Sequence, residues 1–270
     1  MKSMLETYLT FEQTDLLSAT LEAQTRASGS VELPAVVRIL KERKCREVLD
    51  AGTGEGSFLL EIARRVRGAR CLGIDHNRFA IDKATARLRR SPLGNVRFKT
   101  AFFDAGFDQK RRDAILTRYT LQHCSDPAGF LLAVFERLKR KGAFIAVESV
   151  EGYTDCHAPD PVWKAYRAAL LAVHKKIGSD GNIGKRLGSL LRAAGFREVQ
   201  VGLVLCSPST VGLERFTSVV LATTALAHTL FPDLFDRRLA RRMSRWLEDE
   251  TGIERRDPYL ATAVASGIRP

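Results

Sequence analysis

A run of three alternating glycines, Gly52, Gly54 and Gly56, constrains the fold of this chain more than any other feature. Apolar residues and the acidic Asp50 come directly before the glycines, and residues 58–63 have the apolar spacing of a helix. The pattern predicts a buried strand, a tight turn and a helix N-terminus. Glycine suits the turn because it adopts positive φ angles and lets a ligand approach bare backbone. The unpaired N–H groups at the start of the helix add a partial positive charge.

Strands and helices then alternate along the chain, which predicts a parallel sheet covered on both faces. Seven strands are expected, at residues 47–50, 70–75, 96–101, 113–117, 143–148, 198–205 and 259–266. Helices are expected between them, at residues 57–67, 78–90, 128–139, 161–176, 182–194, 213–231 and 234–250. Gly142 is expected to end the third of these helices. Before the first strand, Ser28, Gly29 and Ser30 are expected to separate an amphipathic helix in residues 1–30 from a second helix at residues 33–40.

Composition and cysteine usage point to an ordinary globular protein. The 270 residues are 45% hydrophobic and 27% charged, which suits a chain with a full core. The first nine residues do not predict a signal peptide, and the longest apolar run, residues 216–231, is shorter than the ~20 residues that a membrane span needs. The five cysteines are far apart, without a CxxC pair, so neither a disulfide framework nor a metal site is expected. We therefore expect a cytoplasmic protein.

Side chains able to bind a ligand follow four of the predicted strands: Asp50, Asp75, Asp104 and Arg118. In open α/β sheets, ligands bind beyond the carboxyl ends of the strands. A dinucleotide-binding turn has the pattern G-x-G-x-x-G, and its third glycine would fall at Ser57 rather than at Gly56. Asp50 would also repel a pyrophosphate, whereas it tolerates a cofactor with an amine and a sulfonium. The turn therefore favours S-adenosylmethionine over a nicotinamide cofactor.

Six motifs strengthen this assignment: VLDAGTGEG (48–56), GIDHN (73–77), FFDA (102–105), DAILTRYTLQHCSDP (113–127), LKRKGAFIAVES (138–149) and LRAAGF (191–196). At these motifs the chain resembles the class I S-adenosylmethionine-dependent methyltransferases, in particular their menaquinone/ubiquinone-methyltransferase-like branch. The resemblance covers about residues 45–205 and the final strand. It implies a Rossmann-like methyltransferase fold, with a seven-stranded, mostly parallel sheet, helices on both faces and helical cap additions. One departure is Lys139-Arg140-Lys141-Gly142-Ala143, where the family often has K-P-G-G.

The resemblance implies S-adenosylmethionine as the cofactor and assigns residues to it. Asp50 would lie near its amino group, Asp75 would accept both ribose hydroxyls, and Phe103 with Asp104 would bind the adenine. The cofactor-binding residues implied in this way are Asp50, Gly52, Gly54, Gly56, Asp75, His76, Phe103, Asp104 and Arg118. The structural alternatives are a glycine turn without a ligand, a cap at Asp104, and an ion pair between Arg118 and a helix carboxylate.

His123 is the candidate catalytic base, because it follows the fourth strand near the place to which the methyl group should point. Imidazole is easily poised near neutral pH, and a base is needed only if the acceptor arrives protonated. The alternative for His123 is a structural role at the start of the helix near Pro127. Tyr119, Glu148 and Tyr153 are expected to line the pocket of the methyl acceptor.

The net charge of +12 raises the question of an anionic partner. Most of the basic clusters, such as residues 41–46, 87–90, 110–112 and 137–141, precede strands and so belong to the amino edge of the sheet, opposite the expected site. The exception is the arginine face at Arg237, Arg238, Arg241, Arg242 and Arg245. A helix face of this kind is more often solvated than ligand-bound. Nucleic acid is therefore not favoured as a partner.

The sequence thus predicts four segments and one main function. The segments are an N-terminal helical cap (1–44), a cofactor-binding core (45–205), a helical insertion (206–257) and a final strand with the C-terminus (258–270). The function is methyl transfer from S-adenosylmethionine to oxygen or nitrogen of a small, aromatic or partly apolar metabolite. The alternatives are an RNA or protein methyltransferase that uses the Arg237–Arg245 face, and a non-catalytic S-adenosylmethionine-binding protein. A homodimer is conceivable, since helix 213–231 could face a second subunit.

Overall fold

The computed structural model describes residues 13–104 and 106–270, and these residues form two compact units. We call the first the sheet unit; it consists of Glu32–Glu148, Ile183–Leu203 and Ala263–Pro270. We call the second the helical unit; it consists of the described part of Met1–Val31 together with Ser149–Asn182 and Val204–Thr262. The division into four segments stays a prediction.

Eight strands form one sheet in the described part of the chain. They are β1 Glu47–Ala51, β2 Arg70–Asp75, β3 Val96–Thr100, β4 Arg112–Arg118, β5 Leu138–Ser149, β6 Asp155–Cys156, β7 Arg197–Cys206 and β8 Pro258–Ile268. Their order is β3-β2-β1-β4-β5-β8-β6, and β7 also pairs with β8. The pairs β1–β2, β1–β4, β2–β3 and β4–β5 are parallel. The predicted α/β fold with a mostly parallel sheet is therefore confirmed.

The helices in the described residues are α1 Gln13–Arg26, α2 Ser28–Glu42, α3 Ser57–Arg65, α4 Arg78–Arg90, α5 Pro127–Glu136, α6 Pro161–Lys176, α7 Leu187–Ala193, α8 Pro208–Val211, α9 Leu213–Leu230, α10 Arg237–Glu248 and α11 Glu250–Arg256. Local capping explains where several of them begin. The Asn77 side chain accepts the first N–H groups of α4, and the Asp126 side chain accepts the Gly129 N–H of α5. None of these helices is both long and apolar enough to cross a membrane.

The central strands of the sheet unit are buried, and the middle of each is an apolar run. Leu49 of β1, Leu116 of β4 and Phe144 of β5 are each 1% exposed or less. Strands buried on both faces in this way are typical of parallel sheets with helices on each side. The order β3-β2-β1-β4-β5 reverses direction between β1 and β4, and the glycine turn after β1 lies at this point.

The connection from β3 to β4 differs from the other connections between the parallel strands. The connection from β3 to β4 contains no helix in its described residues, 101–104 and 106–111, whereas the connections from β1 to β2, β2 to β3 and β4 to β5 each contain one. Parallel strands are ordinarily joined by a crossover helix that covers one face of the sheet. The outer strands β2 and β3 therefore lack the cover that such a helix would give.

The helical unit has an aromatic core of its own. Trp163 of α6 stacks on Tyr166 and on Trp246 of α10, with ring centres 5.1 and 5.2 Å apart, and it also contacts Phe216 of α9. Thr20 of α1 donates a hydrogen bond to the Ala222 carbonyl of α9. The segments outside the predicted cofactor-binding strands also carry Tyr8, Phe11, Trp163, Tyr166, Phe216 and Phe231. Tyr8 and Phe11 lie outside the described residues, and the other four are at most 1% exposed.

Two predicted boundaries are wrong. Ser28, Gly29 and Ser30 do not break the chain but form the first turn of α2. Residues 138–142 do not end a helix but begin β5, because α5 already stops at Glu136 and Leu138 pairs with Arg112 of β4. Lys141 adopts a positive φ of 63°, and its N–H donates to the Arg269 carbonyl, so this stretch is an irregular part of the sheet.

Three of these strands and helices were not predicted, and one of them is the short helix α8. β6 consists of only two residues, Asp155 and Cys156, and pairs antiparallel with Pro258 and Tyr259 of β8. It raises the number of strands from the predicted seven to eight, and no alternation pattern can mark a strand so short. The third element is α11, which Asp249 caps by accepting the Gly252 N–H.

Candidate functional site

The carboxyl ends of β1, β2 and β4 bring the predicted residues of the sheet unit to one edge. The parallel register places Asp50 of β1 beside Gly73 of β2 and Leu116 of β4. Asp75 is the last residue of β2, and Arg118 is the last residue of β4. Three of the four predicted strand tips thus meet at the reversal of strand order, where open α/β sheets bind ligands.

The glycine turn after β1 requires glycine at each of its three positions. Gly52, Gly54 and Gly56 have φ angles of 82°, 54° and 75°, in the left-handed region. A Cβ at Gly52 would lie 2.5 Å from the Thr120 side chain, and one at Gly56 would lie 2.5 Å from the Phe98 ring. No atom lies within 4 Å of the corresponding position at Gly54. Gly54 is therefore the glycine that is open to a ligand, while the other two allow close packing.

Asp50 is a buried carboxyl group with a free oxygen. It is 3% exposed, and its Oδ2 accepts a hydrogen bond of 2.7 Å from the Thr53 hydroxyl. Its Oδ1 is buried without a hydrogen-bond partner. Burial raises the pKa of Asp50 to about 7, and the neighbouring Asp75 adds to the effect. A buried carboxylate with an unused acceptor is well suited to a ligand that carries a cationic amine.

Asp75 is held in place by backbone groups on both sides. Its Oδ2 accepts the Gly54 N–H at 2.9 Å, and its Oδ1 accepts the Asn77 N–H at 2.9 Å. The Nδ1 atom of His76 lies 3.3 Å from the same Oδ1. Each carboxylate oxygen has two lone pairs, so Oδ2 keeps one acceptor position open, and a second ligand hydroxyl would take the position on Oδ1 that faces His76. The contact with Gly54 ties the tip of β2 to the glycine turn.

The aromatic pair after β3 is oriented differently from the expectation. Phe103 is buried and packs on Phe107 and Phe130, with ring centres 5.5 and 5.0 Å away. Phe102 is the exposed member, at 50%, and its ring lies edge-on to His76 at 6.1 Å. Asp104 is exposed and accepts the Gly106 N–H at 2.7 Å. Phe102 is therefore the ring available to a ligand beside Asp75.

Arg118 and Tyr119 share one buried carboxylate on α2. Glu32 is fully buried; its Oε2 accepts from Arg118 Nε and its Oε1 accepts from the Tyr119 hydroxyl, both at 2.6 Å. The Arg118 guanidinium also lies 4.6 Å from the ring centres of Phe58 and Tyr119. The structure thus contains the ion pair with a helix carboxylate that the sequence left open for Arg118. Glu32 itself was not among the predicted residues.

Glu148 fastens the turn that follows β4. Its Oε1 accepts the N–H groups of Thr120 and Leu121 at 3.0 and 2.8 Å, and its Oε2 accepts that of Gln122 at 3.3 Å. The side chain is fully buried, and burial raises its pKa to about 8. These contacts hold the short 3₁₀ helix Leu121–His123. Glu148 faces backbone, so its role in the structure is to position this turn.

His123 is exposed at the end of the 3₁₀ helix. The side-chain amide nitrogen of Gln122 lies 3.1 Å from His123 Nε2 and orients the imidazole ring. Asp126, not His123, caps the helix that starts at Pro127, so the capping role considered for His123 is excluded, and its role as a base stays a prediction. Tyr153 belongs to the helical unit, where it is 49% exposed; its place in an acceptor pocket stays a prediction.

The carboxyl edge fits S-adenosylmethionine by its donor and acceptor groups. The free Oδ1 of Asp50 suits the ammonium group, the Asp75 carboxylate suits two ribose hydroxyls, and the bare backbone of Gly54 leaves room for a close approach. A pyrophosphate would meet carboxylates instead. Within residues 13–104 and 106–270, no group of three or more His, Cys, Asp and Glu side chains could hold a metal ion.

Comparison with known proteins decides the family. Residues 42–194, more than half of the chain, match the model of a family described as a methyltransferase domain. The chain belongs to this methyltransferase domain family. The predicted resemblance to class I S-adenosylmethionine-dependent methyltransferases is thereby confirmed, and S-adenosylmethionine is the cofactor of this class.

Individual relatives are more distant. A demethylmenaquinone methyltransferase of Roseiflexus castenholzii is 30% identical over 118 residues, which cover 42% of this chain and 46% of the relative. The match thus spans about half the length of that relative. A solved structure of YcgJ from Bacillus subtilis has a TM-score of 0.54 at 19% identity and covers 86% of this chain and 96% of its own. Phosphoethanolamine N-methyltransferase 2 of Haemonchus contortus, solved with S-adenosylhomocysteine, has a TM-score of 0.52 at 15% identity, covering 83% and 49%. These two likenesses show the fold.

Proposed function

We propose that this methyltransferase transfers the methyl group of S-adenosylmethionine to oxygen or nitrogen of a small, aromatic or partly apolar metabolite. The main support is the buried Asp50 carboxyl group, which has a free oxygen beside the glycine turn. Asp75 and the exposed Phe102 flank the same turn and complete a surface for an amine, a ribose and an adenine ring. When bound, the cofactor supplies a methyl group activated by a sulfonium.

The chain's own residues would then position the partners. Asp75, fixed by two backbone N–H groups, orients the ribose. Glu148 fixes residues 120–122 and thereby the place of His123. His123 would accept the proton that leaves an acceptor hydroxyl at Nε2, once the acceptor takes the place of the Gln122 amide that faces this atom in the structure. Much of the rate enhancement would come from this positioning.

The charge of the carboxyl edge favours a small acceptor over nucleic acid. Asp50 lies near the end of β1, Asp75 ends β2 and Asp104 follows β3, so a phosphate backbone would approach like charge there. Exposed rings are also present at this edge: Phe79 in the first turn of α4 is 72% exposed, and Phe102 is 50% exposed. The relative from Roseiflexus castenholzii is named for demethylmenaquinone, a small acceptor. An apolar, ring-containing acceptor suits these features.

A methyl-transfer assay with separate acceptor classes tests this proposal. S-adenosylmethionine with a labelled methyl group is incubated with a hydroquinone, a simple phenol, an aromatic amine, RNA and a basic peptide. We expect label in at least one of the small acceptors and none in RNA or peptide. Label in RNA or peptide alone would replace the small-molecule proposal with the alternative that uses the Arg237–Arg245 face. No label anywhere, with normal cofactor binding, would favour a non-catalytic protein.

His123→Ala tests the base within the same assay. With a phenolic acceptor, kcat should fall on the order of 100-fold at pH 7 and recover towards pH 10, where the phenol ionises without help. His157→Ala is the matched control, because His157 is 68% exposed and belongs to the helical unit. Equal losses at all pH values would assign His123 a purely structural role.

We also propose that the protein is located in the cytoplasm and that it forms a homodimer. Sedimentation of the purified chain at micromolar concentration would test the dimer, and a monomer throughout would contradict it.

A further inference from the structure

A second cleft lies on the sheet unit, around the amino ends of β1, β2 and β4 and along β3. It has a volume of about 570 Å³. Its polar lining consists mainly of five cationic side chains, Arg70, Arg97, Lys99, Lys110 and Arg112, with Glu47 as the one carboxylate among the lining residues. The cleft adjoins β2 and β3, where the connection to β4 has no helix in its described residues. The missing cover exposes a part of the sheet that a crossover helix would ordinarily bury.

Glu47 does not neutralise these cations. It contacts Lys110 at 2.5 Å and Arg70 at 3.1 Å, so two cations of the cleft share one carboxylate, and it also lies 3.3 Å from Lys139, which has Asp113 as a second partner. The hydrogen bond from Lys110, together with those from Lys139 and Arg70, lowers the pKa of Glu47 to about 2. Glu47 therefore keeps its charge at every physiological pH, and the positive excess is permanent.

Arg97 and Lys99 extend this excess along β3. They are two residues apart on the strand and so lie on the same face of the sheet. Both are exposed, and neither has a carboxylate partner among residues 13–104 and 106–270. Deeper in the cleft, Arg112 is 6% exposed and is held by Asp108 at 2.7 Å. The cleft thus combines a fixed inner guanidinium with two unpaired outer cations.

We propose that this cleft binds the phosphate groups of a small phosphorylated molecule. Arginine and lysine are the side chains that bind phosphate, and arginine offers it a planar fork of donors. The volume of about 570 Å³ lies within the range of small-molecule sites. Leu72 and Phe98 add apolar lining for the rest of such a ligand. Glu47 interrupts the cations and would repel a continuous phosphate backbone, so a compact ligand fits better than a polymer.

The site is separate from the cofactor edge, because its residues in β1, β2 and β4 lie towards the amino ends of these strands, while Arg97 and Lys99 continue it along one face of β3. Glu47 and Asp50 are the two carboxylates of β1, and they belong to the amino cleft and to the carboxyl edge respectively. A ligand in the cleft is therefore not the methyl donor. It would be a second ligand of the methyltransferase, and its binding can be measured without an acceptor.

Calorimetric titration of the full chain with inorganic pyrophosphate tests the proposal. We expect saturable binding at one site. The double variant Arg97→Gln with Lys99→Gln should weaken it at least tenfold. The matched control is Arg237→Gln with Arg238→Gln, which removes the same charge from exposed positions of α10 in the helical unit and should leave the affinity within twofold.

Equal losses in the two double variants, or no saturable binding, would overturn the proposal, because net charge alone would then explain the attraction. The single variant Lys110→Gln provides a second check if the β3 variant folds poorly, and it too should weaken binding.

A short single-stranded RNA forms a further arm of the experiment, at equal phosphate concentration. RNA binding that is tighter than pyrophosphate, falls steeply with salt and is lost in the β3 variant would assign the cleft to nucleic acid instead. S-adenosylhomocysteine binding serves as the folding control in every variant.

Discussion

The two carboxylates of β1 lie three residues apart and have opposite electrostatic environments. Glu47, at the amino end, is surrounded by Lys110, Lys139 and Arg70, and these cations lower its pKa to about 2. Asp50, near the carboxyl end, is buried next to Asp75, and its pKa is raised to about 7. One strand therefore carries a permanently charged, saturated acid and an unsatisfied acid that is easily protonated.

This difference separates a structural charge from a functional one. Glu47 is satisfied by the protein itself, and it offers a ligand nothing. Asp50 keeps an unpartnered oxygen in a buried site, which is costly unless a ligand supplies a donor. Unsatisfied and perturbed groups cluster at functional sites. We accordingly place the methyl donor at the carboxyl edge. The excess of cations at the amino edge is suited to binding an anion.

The largest expected effect is the loss of cofactor affinity when Asp75 is replaced. Asp75→Ala removes the acceptors of two ribose hydroxyls, each a charge-assisted hydrogen bond worth about 2 kcal/mol. Affinity for S-adenosylhomocysteine should fall on the order of 1000-fold in calorimetry. Asp82→Ala is the control, since its side chain is 66% exposed on α4, and it should change nothing. An unchanged affinity of the Asp75 variant would remove the ribose assignment.

The next largest effect is a loss of stability when Glu148, which holds the turn after β4, is replaced. Glu148→Ala leaves three backbone N–H groups without their acceptor and should lower the free energy of unfolding by about 3 kcal/mol. Glu148→Gln keeps an acceptor and should cost about 1 kcal/mol. Urea denaturation at pH 7 measures both, with the 70% exposed Glu136→Ala as the control. Equal costs for the Ala and Gln variants would show that the hydrogen bonds contribute little.

A smaller effect is the pH dependence of cofactor binding, which follows from the ionisation of Asp50. The pKa in the folded protein is above the ordinary 3.8, so the folded state holds the proton more tightly and loses stability as the pH rises from 3.8 to about 7. A cationic amine requires the ionised form. Affinity for S-adenosylhomocysteine should therefore fall about tenfold per pH unit below 7.

Calorimetry at pH 6, 7 and 8 measures this dependence. Asp50→Asn cannot ionise and should bind more weakly at pH 8, with little change between pH 6 and pH 8. A wild-type affinity that is flat across the range would contradict a contact between Asp50 and the amino group.

The smallest effect is the loss of stability expected when Glu47 is replaced. Its folded pKa is below the ordinary 4.5, so its stabilisation is present above pH 4.5 and is lost as the pH falls towards about 2. Its partners are 44–80% exposed, so solvent screens the pairs, and Glu47→Gln should cost only about 1 kcal/mol at pH 7. Urea denaturation in 1 M NaCl should roughly halve that cost. A cost that is independent of salt would point to packing.

The sequence predicted the sheet and the strand tips well, because both depend on local patterns. Alternation and the glycine turn located β1 to β5, and the acids Asp50 and Asp75 lie at the expected edge. Long-range pairing could not be predicted: Glu32 meets Arg118 across 86 positions of the chain. The pair Phe102–Phe103 also shows the limit, since neighbouring residues point to opposite sides and only the fold decides which ring is exposed. Gly142 was expected to end a helix, but this stretch begins β5, where the Lys141 N–H donates to the carbonyl of the distant Arg269.

Heat stabilisation by the cofactor tests the central claim most directly. The melting temperature of the purified protein is measured at pH 8 with and without saturating S-adenosylhomocysteine, and with adenosine as a control for the nucleoside part. The account predicts a rise of several degrees with S-adenosylhomocysteine, since a ligand at 100 times its Kd stabilises by about 2.7 kcal/mol. Adenosine should give a much smaller rise, because it lacks the amine that Asp50 accepts. No shift with S-adenosylhomocysteine would contradict the assignment of the carboxyl edge as the methyl-donor site.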